Sequence, residues 1–187
     1  MELLASRLTR YFLQREYITP EQAQWFQYGL VRRMMGLVAF VILLFPGTLM
    51  VGFPGAFLYV FVFRFLRERT GGYHAKSPLG CFLASFSAML IALSLAGPVT
   101  SLVVSGLILA ASSALILYLA PANNAHLHLS EEELAAIRPR LRIRLLAVVL
   151  LGCFLFPFHL FLANCISLSV GAVAAMLLVS HWGFGVQ

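Results

Sequence analysis

Residues 99–120 read VTSLVVSGLILAASSALILYLA, a run without one acidic or basic side chain. A helix needs about 20 apolar residues to cross a hydrocarbon core about 30 Å thick, so this stretch alone is long enough to span. Outward from it, residues 79–97, 143–162 and 164–182 meet or approach the same length. Two shorter apolar segments, 35–51 and 53–66, are broken by Pro46 and Pro54. They predict a tight hairpin that thins the bilayer locally, or a re-entrant pair, and in both cases the two ends emerge on one face. Composition agrees: 61% of the chain is hydrophobic and 11% charged, with a mean hydropathy of +0.91. A soluble domain carries about 25% charged residues, so lipid must solvate many of these side chains. The expected fold is all-α, a single integral membrane domain over 1–187. It is a polytopic helical bundle of about six transmembrane segments, or four plus a re-entrant hairpin, after N-terminal amphipathic helices.

Those amphipathic helices fall within residues 1–34. ELLASRLTRYFLQRE (2–16) sets Leu4, Leu8, Tyr11 and Phe12 at helical spacing opposite Arg7, Arg10 and Gln14, a pattern that suits a helix lying in the membrane interface. Thr19-Pro20-Glu21-Gln22 marks a second helix start, with Thr19 as N-cap, Pro20 at the first helical position and Gln22 closing a capping box. Trp25, Phe26 and Tyr28 read as interfacial aromatics. Arginines fill the first 35 residues before any long apolar run, so no signal peptide is expected and the N-terminus is retained.

Charge sets the orientation. With the N-terminus inside, the inside segments are 1–34, the loop 64–78, the loop 121–144 and the C-terminal tail. All 13 Lys and Arg residues fall in the first three. The outside turns, expected near Gly52, Gly97 and Ala163, carry none, as the positive-inside rule requires. The net charge of +6 flanks apolar runs and forms no separate basic domain, which favours phospholipid headgroups over nucleic acid. In the 121–144 loop, Ser130-Glu131-Glu132-Glu133 predicts a capping box, and Pro139 is expected to end the helix it starts. Cys81, Cys153 and Cys165 show no CxxC spacing, against both a disulfide framework and a zinc site.

Chemistry concentrates in residues 67–81, RERTGGYHAKSPLGC. Gly71-Gly72 supplies a turn just past the second apolar segment and places Tyr73 and His74 there. Ser77 as N-cap and Pro78 at N1 start the next helix, so Cys81 falls at its fourth position. Unpaired N–H groups and the helix dipole favour a thiolate there, and Arg67, Arg69 and Lys76 add positive potential. His74, across the turn, is within reach as the base that later protonates a leaving amine. Two readings of the pair stand side by side: a thiol nucleophile with its base, or an apolar Cys at a helix end beside an interfacial His.

Read as R-x-x-x-G-G-Y-H-A-x-S-x-x-x-C, the stretch from Arg67 to Cys81 resembles the signature of the accessory gene regulator B (AgrB) family. The likeness extends to the two N-terminal amphipathic segments, the basic loop and Ala120-Pro121 at the end of the fourth segment. It implies a membrane cysteine endopeptidase of the bacterial plasma membrane, multi-pass, with N-terminus and active site on the cytoplasmic side. By the same resemblance, His74 and Cys81 form the catalytic dyad and Arg67, Gly71 and Gly72 are motif residues. The implied substrate is a short AgrD-like precursor of a quorum-sensing peptide. Cys81 cuts off its acidic C-terminal tail through an acyl thioester, and the substrate's own Cys or Ser closes a thiolactone or lactone ring. No cofactor is implied. Where many members place lysines after the Ala-Pro, this chain has Asn123, Asn124, His126 and His128.

Other residues admit plainer readings. Glu68 either orients His74 or pairs with Arg64 one turn back. His126 and His128 lack a third ligand at metal spacing, so no metal is expected. His159, placed in the outer half of the fifth segment, and His181-Trp182 read as interfacial side chains. Cys153 and Cys165 read as packing residues. Ala110, Ala111, Ser112 and Ser113 permit close helix approach, within the bundle or in a homodimer. A non-enzymatic transporter would place charged or polar groups inside several spans, and these spans hold almost none. A structural membrane subunit is the other rival, against which stand the intact Gly-Gly-Tyr-His-Ala and Cys81.

Overall fold

The computed structural model describes residues 2–71, 78–99, 101–122 and 130–183. Every regular element among them is helical: α1 (Glu2–Gln14), α2 (Pro20–Thr70), α3 (Pro78–Ser94), α4 (Leu102–Leu119), α5 (Glu131–Leu155) and α6 (Leu160–His181). The helices Pro20–Thr70, Leu102–Leu119 and Leu160–His181 are long and apolar enough to cross a membrane, and Leu79–Ser94 is a shorter apolar helix. The chain divides into two compact units, Met1–Ile42 and Leu43–Gln187.

In the first unit α1 buries Ala5 and Thr9 and leaves Leu3, Leu4, Leu8 and Tyr11 exposed. Its Phe12 packs on Tyr17 and Phe26, with ring centroids 5.8 and 5.1 Å away. α2 starts at Pro20 as the sequence predicts, and the Thr19 N–H donates to the Gln22 side chain at 3.3 Å.

The second unit contains a hairpin. At Gly52 the backbone leaves the helix, with φ 73° and ψ 162°. A straight helix would carry Gly47 and Ala56 about 13 Å apart. Instead a Cβ built on Gly47 would lie 3.1 Å from that of Ala56, so the chain doubles back. The positive φ suits glycine, which has no Cβ to clash there. Pro54 falls in the first turn after the reversal, where the ladder of helical hydrogen bonds is already interrupted, while Pro46 lies inside the helix before it.

α6 is the core helix, buried along most of its length, with α3, α4 and α5 packed on it. A small residue permits the approach at Gly152, where a Cβ would lie 3.0 Å from Leu109, while a Cβ on Gly171 would make ordinary contact with Ile108 and Ser112. Ser113 is buried, whereas Ala110 and Ala111 lie on the exposed side of α4. Buried polar groups tie α6 to its neighbours. Ser105 donates to Ser167 at 3.1 Å, Ser169 donates to the Tyr59 carbonyl at 2.9 Å, and Asn164 donates to the Val99 carbonyl. Buried polar groups are retained where such bonds satisfy them.

The capping box at Ser130 is present in both directions, but Pro139 does not end the helix. α5 runs through it to Leu155. Proline costs the Ala135 carbonyl its helical partner, and both residues are exposed, where water replaces that bond. The last turn also moves. It lies at 156–159, not near Ala163, because Pro157 follows the C-cap Phe156 and cannot continue the helix. His159 is therefore the N-cap of α6, not a residue inside the fifth segment.

Contacts identify the two ends of this unit. A Cβ built on Gly55 would meet Phe161 and Cys165, and Asn164 bonds Val99, so the turns at 52, 95–98 and 156–159 meet at one end. At the other end Ala122 bonds Thr70 and Glu68 pairs with Arg144. The described arginines of this unit, Arg64, Arg67, Arg69, Arg138, Arg140, Arg142 and Arg144, belong to that second end.

Candidate active site

The charged end is built around the last turn of α2 and the first turn of α3. α3 begins at Pro78, which makes Cys81 its fourth residue, as the sequence predicts. Cys81 is half-buried, and its carbonyl accepts a 2.9 Å hydrogen bond from Ser85 one turn on. Near the N-terminus of a helix, positive backbone potential favours a sulfur anion.

Arg67 supplies a second positive field. Its guanidinium is half-buried at the end of α2 and lies within Coulombic range of Cys81. It also donates to the Gly71 carbonyl. A guanidinium carries five N–H donors in a fixed plane, so one bond to the backbone anchors it and leaves others for neighbours.

Gly71 takes φ 67°, the left-handed region that glycine enters without cost. A Cβ built there would overlap the Ala122 carbonyl oxygen and fall 3.3 Å from its carbon. The backbones approach this closely because the Ala122 N–H donates to the Thr70 carbonyl at 2.9 Å. Ala120-Pro121-Ala122 is thus docked against the turn that leads into the His74 segment.

Glu68 makes the expected pair with Arg64 and adds a partner, while His74, its other expected partner, lies outside the described residues. Glu68 pairs with Arg64 at 3.6 Å and with Arg144 at 3.2 Å. Arg144 also donates to the Phe65 carbonyl at 2.7 Å and lies over the Phe65 ring, 4.5 Å from its centroid. The ring closes a ladder of Phe53, Phe57, Phe61 and Phe65, each stacked on the next.

Of the sequence-predicted site residues, the structure brings Arg67, Glu68, Gly71 and Cys81 to one end of the unit. Gly72, His74, Lys76 and Ser77 lie outside the described residues, as do His126 and His128. Cys153 is exposed in the apolar half of α5, and Cys165 is buried in α6 beside Gly55. Two contributors were missed. Ala122 is signalled only by the Ala-Pro before it, and Arg144, 76 residues from Glu68, has no local signal.

A family model described as Accessory gene regulator B matches residues 5–179. Searches of curated proteins and of solved structures gave no match.

Proposed function

The chain belongs to the accessory gene regulator B family, which is associated with autoinducer peptide processing, and on that premise we propose a membrane-embedded cysteine endopeptidase. The observation that carries the proposal is the placement of Cys81 in the first turn of α3, within the field of Arg67. Cys81 is the nucleophile and His74 its base.

In the first step His74 takes the thiol proton and the Cys81 sulfur adds to the scissile carbonyl carbon of an AgrD-like precursor. The C–N bond breaks, His74 returns the proton to the leaving amine, and the acidic tail departs. The acyl group remains on Cys81 as a thioester. In the second step the substrate's own thiol or hydroxyl gives its proton to His74 and attacks the thioester. The Cys81 sulfur leaves and takes that proton back from His74, and a thiolactone or lactone ring closes. Exchange of one thioester for another costs little free energy if water is kept from the acyl-enzyme, and a site at the end of a membrane bundle serves that need.

The positive-inside rule supports the cytoplasmic side of the bacterial plasma membrane for this end, since the opposite turns carry no Lys or Arg. A transporter reading draws no support from the buried polar groups of α6. Ser167 and Ser169 bond neighbouring helices, as interhelical ties do, and the Asn164 amide N–H bonds the Val99 carbonyl in the segment between α3 and α4.

Reconstitution in liposomes with a synthetic precursor tests the proposal, with tail release and acyl-enzyme followed by mass spectrometry. Cys81→Ala is expected to abolish tail release while precursor binding persists, because cleavage needs the thiolate and binding does not. Wild-type tail release by Cys81→Ala would remove Cys81 from the mechanism.

A further inference from the structure

At the charged end a recess opens between the end of α4 and α5, lined by Leu117, Tyr118, Ala120, Arg138, Leu141 and Arg142. We infer that this recess binds the phosphate of an anionic phospholipid headgroup, with Arg138 and Arg142 as its ligands and Leu117 and Tyr118 against the lipid's apolar part. The inference is independent of the peptidase reading.

The first support is charge. Helical geometry sorts the four arginines of α5 into two pairs. Arg138 and Arg142 are one turn apart on one face, and Arg140 and Arg144 lie on the other. Arg144 is engaged with Glu68 and the Phe65 carbonyl. Glu68 pairs with Arg64 and Arg144, and neither Arg138 nor Arg142 takes part in those pairs. Arg138 and Arg142 line the recess with no carboxylate within ion-pair distance among the described side chains. Two guanidinium forks one turn apart match the oxygens of one phosphate.

The second support is the apolar half. Tyr118 is 86% exposed and Leu117 51% exposed at the end of an uncharged span. A tyrosine there is placed as interfacial aromatics are, ring toward lipid and hydroxyl toward headgroups. On α5, Leu146 and Leu150 continue the helix one and two turns beyond Arg142, both more than half exposed. An acyl chain running along these residues keeps its headgroup beside the arginines. A soluble carboxylate peptide has no use for that apolar continuation, which favours lipid over peptide. Basic pockets between helices at a membrane surface bind anionic headgroups in this way.

The test uses the full chain incorporated into vesicles of equimolar phosphatidylglycerol and phosphatidylcholine. The protein is extracted in mild detergent and bound lipid is counted by native mass spectrometry. Wild type is expected to retain one phosphatidylglycerol in preference to phosphatidylcholine. Arg138→Gln/Arg142→Gln should weaken that retention about 30-fold, from about fivefold per arginine. Arg140→Gln, on the other face of α5, should retain it. Unchanged retention in the double variant, or equal loss in Arg140→Gln, would overturn the site. If the double variant does not remain helical by circular dichroism, Arg142→Gln alone should show the fivefold loss, and wild-type retention would overturn the site. Displacement of the lipid by soluble glycerol phosphate at equal concentration would assign the recess to free phosphate, and displacement by a Glu-rich peptide would assign it to a protein partner. Either would overturn the lipid inference.

Discussion

Replacing Gly71 by alanine tests how the turn before the His74 segment is held. Gly71 has φ 67°, and an L-residue there costs about 1–2 kcal/mol. The added Cβ also overlaps the Ala122 carbonyl oxygen, a backbone atom that cannot swing aside as a flexible side chain does. Relief requires the two backbones to part, which forfeits the 2.9 Å bond from Ala122 N–H to the Thr70 carbonyl. Such a bond is worth about 1 kcal/mol. Together the terms disfavour the observed turn by about 2–3 kcal/mol, or a factor of about 30–150 in its population. If only this turn presents His74 to Cys81, turnover falls by the same factor, because activity scales with the competent fraction. The assay is single-turnover tail release from a synthetic precursor in liposomes. Gly106→Ala is the control, since a Cβ on Gly106 meets nothing within 4 Å and its rate should stay within twofold of wild type. Gly71→Ala that folds and cleaves within twofold of wild type would refute the claim that this backbone contact positions the site.

Arg67→Ala should lower the rate of tail release about tenfold or more while leaving some turnover, because the field at sulfur weakens but the nucleophile stays. Arg67→Lys should recover only part of it, since a lysine cannot both anchor on the Gly71 carbonyl and keep the planar fork; full recovery would reduce Arg67 to a point charge. Cys81 should react with iodoacetamide at neutral pH faster than Cys153 or Cys165, and His74→Ala should slow it; equal rates for the three thiols would favour a structural cysteine. Single cysteines at Ser130 and Gly97 should label from opposite faces of intact cells with an impermeant maleimide, Gly97 from outside; labelling of Ser130 from outside would reverse the topology.

The fold was legible where the signal is contiguous. Thr19-Pro20 and Ser130 with Glu133 start α2 and α5 as read, because a cap is decided by residues within one turn. The reversal at Gly52 was legible from two prolines and a glycine inside an apolar stretch too short for two full spans. Local rules failed where the surroundings offset them. Pro139 lies on an exposed face where water takes the freed carbonyl, and the apolar run from 143 to 162 hid the true stop at Pro157. The polar ties of α6 were also underread. A lone Ser167 or Asn164 among apolar residues gives no hint that Ser105 or the Val99 carbonyl faces it.

The site divides in the same way. The sequence could place Cys81 at the start of α3, since Pro78 fixes that start, but it could not show what orients Arg67. At the end of α2 the Arg67 side chain donates to the Gly71 carbonyl. The carbonyls of α2 are met by a backbone N–H from Ala122 and, one turn earlier, by Arg144 from α5. Both partners are more than 50 residues away, so neither is implied by local pattern. The Glu68–Arg144 pair is half-exposed on the Glu68 side and worth at most about 1 kcal/mol, so its contribution is geometric more than energetic. With Phe65, Glu68 and Thr70 bonded from two other segments, the last turn of α2 is braced, and Arg67 lies between them. Under the proposed mechanism the position of Arg67 counts for more than extra charge elsewhere, because exposed charges farther than about 8 Å from the sulfur are largely screened, whereas a close cation is not.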